Sequence, residues 1–206
     1  MTYSKTIVEV GANYGQHTCK FVNEEDAFVW SFEPLPILSN RLKEIYKDQE
    51  NLMVIQKAVS DYNGVSQFHI SDPSGGAADY GCSSLNEFTD KIQEIWVNRP
   101  DFAFVDTIDV EVIRMDKFIE ENNITQIDYF HCDAQGSDLS VLKSFGDKLN
   151  IIVSGVVEGA HKINLYNVDN TVTSIVDFLE SNGFRVTNKN DQNSSSEELD
   201  VYFERI

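Results

Sequence analysis

Short apolar runs alternate with segments of helical periodicity over the first part of the chain. Thr6–Val10, Phe28–Phe32 and Leu52–Val59 are rich in β-branched and aromatic residues, which predicts three strands. Between these strands, Gln16–Asn23 and Pro36–Lys47 place apolar residues at helical spacing. Such an alternation predicts a parallel sheet whose two faces are covered by helices.

The middle of the chain interrupts this alternation. Its predicted elements are the strand Ser66–Ile70, a glycine- and serine-rich loop at Asp72–Ser84, the helix Asn86–Trp96 and the strand Ile108–Ile113. This order does not repeat the strand and helix units on either side of it. We therefore interpret residues 65–113 as an insertion that lies near the ligand.

The last part of the chain returns to the alternation and then changes character. The predicted elements are strands at Ile127–Cys132 and Ile151–Val157 and helices at Met115–Asn122, Ser137–Phe145 and Asn170–Asn182, the last one stopped by Gly183. Phe184–Thr187 and Val201–Arg205 follow with no helix between them, so these two strands must pair antiparallel. Five parallel strands closed by such a hairpin resemble the α/β fold of Rossmann-like class I methyltransferases, with its seven-stranded, mostly parallel sheet.

Composition narrows the classes of protein and partner. The chain has 206 residues, 16 of them basic and 34 acidic, with a net charge of −18. This length fits a single domain over residues 1–206. The acidic excess disfavours nucleic acid and anionic membrane surfaces as partners, because both attract Lys and Arg.

Cysteine usage and the N-terminal sequence predict the compartment. Cys19, Cys82 and Cys132 are odd in number and form no Cys-x-x-Cys pair, which indicates reduced thiols rather than disulfides or a zinc site. The N-terminal sequence has no signal-peptide pattern, and no apolar stretch is long enough for membrane insertion. We expect a cytoplasmic protein.

A glycine-containing turn connects the first strand to the first helix. It runs from Glu9 to Gly15, at the place where open parallel sheets bind ligands beyond the carboxyl ends of their strands. Glycine lets the backbone turn sharply and approach a ligand closely. A nicotinamide-dinucleotide site would have Gly-x-Gly-x-x-Gly, yet Asn13 and Gln16 occupy the second and third glycine positions. A tight connection without a ligand is the alternative interpretation.

Polar residues end the next two predicted strands. Glu33 follows the second strand, where a carboxylate can accept hydrogen bonds from both hydroxyls of a ribose. Val59 and Ser60 end the third strand, where their backbone could meet the edge of a base. The alternatives are a solvated residue at a strand end for Glu33 and a structural turn after Val59.

Two further carboxylates and a histidine end the fourth and fifth parallel strands. Asp133 follows Ile127–Cys132, where it could face the ligand or cap the next helix. Glu158 follows Ile151–Val157, and His161 lies three residues beyond it. A histidine at this edge could accept a proton at neutral pH, although a solvated loop histidine is the alternative.

These motifs occur together in the order found in one family. They are Glu9-Val-Gly-Ala-Asn-Tyr-Gly15, Phe32-Glu33-Pro34, Val59-Ser-Asp-Tyr-Asn-Gly64, Ser83-Ser84-Leu85 and Ile127-Asp-Tyr-Phe-His-Cys-Asp133-Ala-Gln-Gly136. The chain resembles FkbM-family methyltransferases over nearly its whole length. The resemblance implies S-adenosylmethionine as the cofactor and O-methylation of a sugar, a natural product or another glycosylated acceptor.

The resemblance also implies roles for individual residues. The cofactor-binding residues it implies are Glu9, Gly11, Ala12, Asn13, Gly15, Gln16, Glu33, Pro34, Val59, Ser60, Ser83 and Asp133. Gly11 to Gly15 would line the methionine half of the cofactor, and Glu33 would hold its ribose. The family pattern near the fourth strand is Lys-Ile-Asp-Val-Glu-Gly, and here His131 stands for the Lys and Gln135 for the Glu.

We expect Asp133, Glu158 and His161 to carry the chemistry. Our first hypothesis makes His161 the general base and Asp133 the residue that orients the substrate or the base. An alternative gives Asp133 and Glu158 a divalent cation that binds two sugar hydroxyls and lowers the pKa of one. Because Gln135 replaces a carboxylate, we favour a site without a metal.

The acceptor and any partner are predicted from the insertion and from the short segment before the first strand. Residues 72–84 and the helix at 86–96 are the candidate acceptor wall, with three rings that could stack on a sugar, namely Tyr80, Trp96 and Phe102. We also expect a module of a larger protein, with a glycosyltransferase or partner subunit supplying missing surface. The alternatives are a non-sugar acceptor, a non-catalytic glycan- or partner-binding module and, least favoured, a nicotinamide-dependent oxidoreductase.

Overall fold

The computed structural model describes residues 3–71, 80–95, 103–161, 163–189 and 198–206. Trp96, Phe102, most of the predicted loop at 72–84 and the polar run at 190–197 lie outside the described residues. Within the described residues, no helix is long and apolar enough to span a membrane.

The elements follow one another along the chain with short connections. The strands are β1 (Lys5–Val10), β2 (Ala27–Phe32), β3 (Leu52–Ile55), β4 (Ala58–Val59), β5 (Gly64–Ser71), β6 (Phe104–Ile113), β7 (Tyr129–Cys132), β8 (Ser154–Ala160), β9 (Phe184–Lys189) and β10 (Glu198–Arg205). The helices are α1 (Thr18–Phe21), α2 (Pro36–Ile45), α3 (Ile92–Ile95), α4 (Met115–Glu121), α5 (Asp138–Lys143) and α6 (Val172–Ser181).

Seven strands form one sheet in the order β3-β2-β1-β7-β8-β10-β9. The five strands from β3 to β8 are parallel, and β10 lies antiparallel between β8 and β9. The predicted fold class, including the antiparallel C-terminal hairpin, is therefore confirmed. The strand order reverses at β1, which has β2 on one side and β7 on the other, and such a switch point opens a crevice where ligands bind.

A second sheet of three strands, in the order β4-β6-β5, lies beside the first. The prediction of one strand over Leu52–Val59 is wrong, because β3 and β4 belong to different sheets. The amide of Lys57 donates to the carbonyl of Ile55 at 3.0 Å, which makes a tight turn around Gln56. After this turn, Ala58 and Val59 leave β2 and pair with β6.

Two other predicted elements are shorter than expected, and a third is shifted along the chain. The helix predicted at Gln16–Asn23 is a single turn at α1, and the segment before it has left-handed backbone at Asn13 and Gly15. In the predicted helix Asn86–Trp96, Phe88 instead forms a β-bridge with Tyr166, and only α3 is helical among the described residues. Strand β8 begins later than predicted, because residues 146–151 form a 3₁₀ turn.

The main core lies between the seven-stranded sheet and helices α4, α5 and α6. Phe130 from β7 and Phe145 after α5 are fully buried and pack edge to face, with ring centroids 5.2 Å apart. Phe32 from β2 packs in the same way on Phe118 from α4. This packing fixes the carboxyl ends of β2 and β7, where the polar residues of the crevice begin.

Candidate active site

A cleft lies at the carboxyl ends of β1, β2 and β7, at the switch point of the sheet. Its polar lining includes Asn13, Glu33, Ser83, Asp133, Gln135 and Ser137. Its apolar lining includes Leu35, Leu38, Ala58, Val59, Phe68 and Leu85. The cleft thus has a polar end near β1 and β7 and an apolar wall contributed by α2 and the second sheet.

The turn after β1 depends on left-handed backbone at three positions. Gly11, Asn13 and Gly15 have φ of 86°, 50° and 87°. A Cβ at Gly11 would lie 1.9 Å from the backbone oxygen of Asp133, so only glycine fits there. The amides of Gly11 and Ala12 both donate to the carbonyl of Phe32 at 3.0 Å. The turn therefore brings the ends of β1, β2 and β7 together.

The carboxyl group of Glu33 is buried at the end of β2, with 5 % of the residue exposed. Its Oε2 accepts a hydrogen bond from the Asn13 amide at 2.7 Å, and its Oε1 accepts one from the Leu35 amide at 2.8 Å. Burial raises the pKa of Glu33 to about 7, against these two hydrogen bonds and with the help of the nearby charges of Glu9 and Asp133. Each oxygen keeps a lone pair, so the group can still accept two hydroxyls.

The side chain of Asn13 contributes an unsatisfied acceptor to the same cleft. Its Oδ1 is buried and has no hydrogen-bond partner among the described residues. A buried polar atom without a partner is costly, so native structures rarely leave one unless a ligand or water completes it. Asn13 and Glu33 together therefore fit a ligand that brings several hydrogen-bond donors.

At the other side of the cleft, Asp133 and Glu158 are joined by an amide. The Nε2 of Gln135 donates to Asp133 Oδ1 at 2.6 Å and to Glu158 Oε2 at 3.3 Å. Burial raises the pKa of Glu158 well above its usual range, and the nearby carboxyl groups of Asp133 and Glu198 raise it further. The surroundings of Glu158 therefore favour its protonated form.

Asp138, rather than Asp133, holds the turn between β7 and α5. Its Oδ1 accepts a hydrogen bond from the Ala134 amide at 2.8 Å, and its Oδ2 accepts one from the Asn170 side chain at 3.0 Å. The capping position of α5 is Ser137, so the alternative interpretation of Asp133 as a helix cap is wrong. Asp133 is left to face the cleft.

The cleft brings together seven of the residues proposed for cofactor binding. They are Gly11, Asn13, Glu33, Pro34, Val59, Ser83 and Asp133. The described residues that line the cleft do not include the other five, Glu9, Ala12, Gly15, Gln16 and Ser60. Glu9 is buried, and its Oε2 accepts hydrogen bonds from the hydroxyls of Thr18 at 2.7 Å and Ser31 at 2.6 Å. Glu9 thus supports α1 and β2 from one face of the sheet.

Two predicted residues from the middle of the chain line the apolar end. The Oγ of Ser83 accepts a hydrogen bond from the Ser71 amide at 3.0 Å, which ties the residue to β5. Tyr80 was expected in the acceptor wall, and it lines the same cleft as Glu33. Its ring stacks on Tyr14, with centroids 6.4 Å apart.

A second cavity, of about 680 Å³, lies on the sheet face formed by β1, β7, β8 and β10. Asp133 lines both cavities, and Glu158 lines this one. His131 stacks on His17 here, with ring centroids 4.2 Å apart, and burial lowers its pKa to about 4. His161 is half-buried just after β8 and is not among the described residues that line either cavity.

Most residues of the apolar wall, and the contact that holds the Gln135 side chain, were not predicted from the sequence. Leu35 and Leu38 come soon after the Glu33-Pro34 motif, and this proximity could have indicated that they line the cleft. Phe68 reaches the cleft through the pairing of β5 with β6, which no local pattern predicts. The hydroxyl of Tyr166 donates to Gln135 Oε1 at 2.8 Å, a contact between residues 31 positions apart.

Comparison with known proteins identifies the family. The family model described as the Methyltransferase FkbM domain matches residues 9–186, which is most of the chain. The chain therefore belongs to the FkbM methyltransferase family, as the motifs predicted. The match begins at Glu9 and includes the glycine turn, Glu33, Asp133 and Gln135.

Individual relatives agree with this assignment. The chain is 29% identical to the 2-O-methyltransferase NoeI of Sinorhizobium fredii over 139 residues. These residues cover 66% of this chain and 55% of NoeI. The crystal structure of a methyltransferase FkbM from Methylobacillus flagellatus superposes with a TM-score of 0.60 at 13% identity, over 97% of this chain and 43% of that one. Fibrillarin from Aeropyrum pernix, solved with bound S-adenosyl-L-methionine, has a TM-score of 0.51 at 8% identity, over 98% of this chain and 67% of that one.

The two structural likenesses show a shared fold, because their sequence identities are low. The chain spans about half the length of NoeI and of the Methylobacillus protein. Family membership and fold are thus established for this chain.

Proposed function

We propose that this chain is the catalytic domain of an S-adenosylmethionine-dependent O-methyltransferase that methylates a hydroxyl of a sugar or glycan. The observation that carries the proposal is the cleft at the switch point. It places the buried Glu33 carboxyl and the unsatisfied Asn13 Oδ1 beside Asp133, in a chain of the FkbM methyltransferase family. The 2-O-methyltransferase NoeI supports a hydroxyl acceptor.

The residues present fit an adenosyl ligand. Glu33 would accept the ribose hydroxyls, because each of its oxygens keeps a lone pair. The apolar wall that includes Leu38, Val59 and Phe68 would bury the base. Gly11 and the unsatisfied Asn13 would bind the amino-acid end, where donors and acceptors are needed.

The chemical step needs a positioned oxygen and an acceptor for its proton. S-Adenosylmethionine, when bound, supplies a methyl group already made electrophilic by the sulfonium. Asp133 would receive the proton of the acceptor hydroxyl, because it lines both the cleft and the second cavity. Burial raises the pKa of Glu158, so Glu158 is the less suitable proton acceptor of the two carboxyl groups.

His161 remains the alternative base. Our first hypothesis gave it this role, and we now assign it to Asp133, which lies in the cleft. The comparison of Asp133→Asn with His161→Asn decides between the two residues. The base is the one whose replacement abolishes methyl transfer while S-adenosylhomocysteine still binds.

We propose that the reaction needs no metal ion. Gln135 already donates to both carboxylates that would serve as metal ligands, Asp133 and Glu158. Exhaustive chelation followed by assay in chelated buffer tests this directly. Full loss of activity that Mg²⁺ or Mn²⁺ restores would establish the metal-dependent alternative.

Two experiments test the function as a whole. S-Adenosylhomocysteine should raise the melting temperature while NAD does not, because a ligand of the native state stabilises it by mass action. Incubation with labelled S-adenosylmethionine and a panel of glycans and natural products, read by mass spectrometry, identifies the acceptor. Binding of the cofactor without transfer to any acceptor would favour the non-catalytic binding module.

A further inference from the structure

We propose that Gln135 is a positioning residue of this site. Its side-chain amide holds the carboxyl groups of Asp133 and Glu158 in one arrangement and so fixes the oxygen of Asp133 that meets the acceptor hydroxyl. The inference rests on the proposed function.

The backbone of Gln135 is held in an unfavourable conformation. Its φ is +47°, in the left-handed region that costs a residue with a side chain. The carbonyl of Gln135 accepts a hydrogen bond from the Ser84 hydroxyl at 2.6 Å. A Cβ at the following residue, Gly136, would lie 2.5 Å from the ring of Tyr166, so the chain is fixed on both sides. Strain of this kind persists where the surroundings enforce it, typically at functional sites.

The side chain of Gln135 is held as firmly as its backbone. Its Nε2 donates to Asp133 Oδ1 at 2.6 Å and to Glu158 Oε2 at 3.3 Å. Its Oε1 accepts a hydrogen bond from the buried Tyr166 hydroxyl at 2.8 Å. That hydroxyl also lies 3.1 Å from the Cys82 carbonyl, its other possible acceptor. Because an amide has two donor hydrogens and one acceptor oxygen, these contacts define which way it faces.

The pair formed by Asp133 and Glu158 lies among further carboxyl groups. Asp133 also interacts electrostatically with the carboxyl groups of Glu198 and Asp138. Neighbouring carboxyl groups repel when ionised, and rotation is the easiest way for a side chain to separate them. The amide of Gln135 donates to both Asp133 and Glu158, so either side chain would lose a hydrogen bond if it rotated away. Asp133 then stays aligned with the cleft, which is the kind of alignment on which a transfer rate depends.

Gln135→Met tests the inference, since it keeps the length of the side chain and removes the amide. We expect kcat for methyl transfer to fall by about 10- to 100-fold, while the affinity for S-adenosylhomocysteine stays within about twofold. Tyr166→Phe should cause a smaller loss, because the amide remains but its direction is no longer fixed. The double variant should lose no more than Gln135→Met alone, since both changes act through the same amide.

Gln126→Met is the matched control. Gln126 also donates an amide hydrogen to a carboxylate, Asp128 Oδ1 at 2.7 Å, but on the exposed surface away from the cleft. This variant should leave kcat unchanged. An unchanged kcat in Gln135→Met, or additive losses in the double variant, would overturn the positioning role while leaving the proposed function intact.

Carbon-13 NMR of the side-chain carboxyl groups tests Gln135 without turnover. In Gln135→Met, the titration curves of Asp133 and Glu158 should shift relative to the wild type, and in Gln126→Met they should coincide with it. If the wild type binds S-adenosylhomocysteine but methylates no acceptor, the proposed function fails. Unchanged titration curves in Gln135→Met would then also reject the positioning role.

Discussion

Binding of an adenosyl ligand should become tighter as the pH rises through 7, because Glu33 is the group proposed to hold the ribose. Burial raises the pKa of Glu33 from 4.5 to about 7 in the ligand-free protein, so much of this group is protonated near neutral pH. Ribose hydroxyls donate hydrogen bonds, which the ionised carboxylate accepts more strongly than the acid does. Ligand binding should therefore release the proton of Glu33.

The size of the effect follows from the raised pKa. If the Glu33 carboxyl is ionised in the complex, then below pH 7 the group must lose a proton on binding, which weakens the binding free energy. Above pH 7 it is already ionised and this cost disappears. The dissociation constant should then fall about tenfold between about pH 6 and about pH 8, which corresponds to about 1.4 kcal/mol. The same rise in pKa means that ionised Glu33 destabilises the free fold by about 3 kcal/mol, a cost present above the folded pKa and absent below the unfolded one.

Isothermal titration of adenosine and of 2′,3′-dideoxyadenosine over this pH range measures the effect. Asp138, with a pKa of about 6, and Glu198, with a pKa of about 8, titrate in the same window. The dideoxy analogue lacks both hydroxyls and should show little pH dependence, which assigns the difference to the ribose contact. The Glu33→Gln variant should lose the difference between the two ligands. Equal pH dependence for the two ligands in the wild-type protein, or weaker adenosine binding at higher pH, would refute the role of Glu33.

Two further predictions concern the chemistry and the glycine turn. Asp133→Asn should lower kcat by about 100-fold or more, with little change in the affinity for S-adenosylhomocysteine. A single-turnover assay measures the first quantity and calorimetry the second. If only His161→Asn loses activity, His161 is the base instead. Gly11→Ala should destabilise the fold by about 3 kcal/mol or more in urea unfolding, because its Cβ would meet the Asp133 backbone oxygen. Gly183→Ala is the control, because Gly183 has a φ of +84° but no atom within 4 Å of an added Cβ. It should lower the free energy of unfolding by only about 1 kcal/mol. Equal losses of stability in the two variants would contradict the clash at Gly11.

The sequence predicted the parallel sheet because its strands are buried on both faces. Runs such as those in β1, β2 and β7 are mostly apolar, and each is followed by a turn and a helical period. The division between β3 and β4 escaped prediction for the same reason. Both are apolar, and their assignment to two sheets depends on pairing with β2 and β6, far away in the chain.

The candidate site was predictable where it lies at strand ends. Gly11, Glu33 and Asp133 follow β1, β2 and β7, and parallel strands bring their carboxyl ends to one edge. Glu9 belongs to β1 itself, so its side chain points from a face of the sheet and reaches Thr18 and Ser31. The contribution of Phe68 and Tyr166 depends on long-range packing, which a single sequence does not encode as a local pattern.

The concentration of acidic groups at one edge of the sheet is the feature that joins the fold to the proposed reaction. Glu33, Asp133, Glu158 and Glu198 lie near one another in a chain with a net charge of −18, and burial raises the pKa of Glu33, Glu158 and Glu198. A fold gains nothing in stability from such a cluster, since each buried carboxyl costs free energy when it ionises. A cationic ligand reverses this balance, because it is attracted to the negative potential that the free protein must bear. The cluster therefore favours a positively charged methyl donor as the ligand of this cleft. Within the cluster, the amide of Gln135 donates to both Asp133 and Glu158.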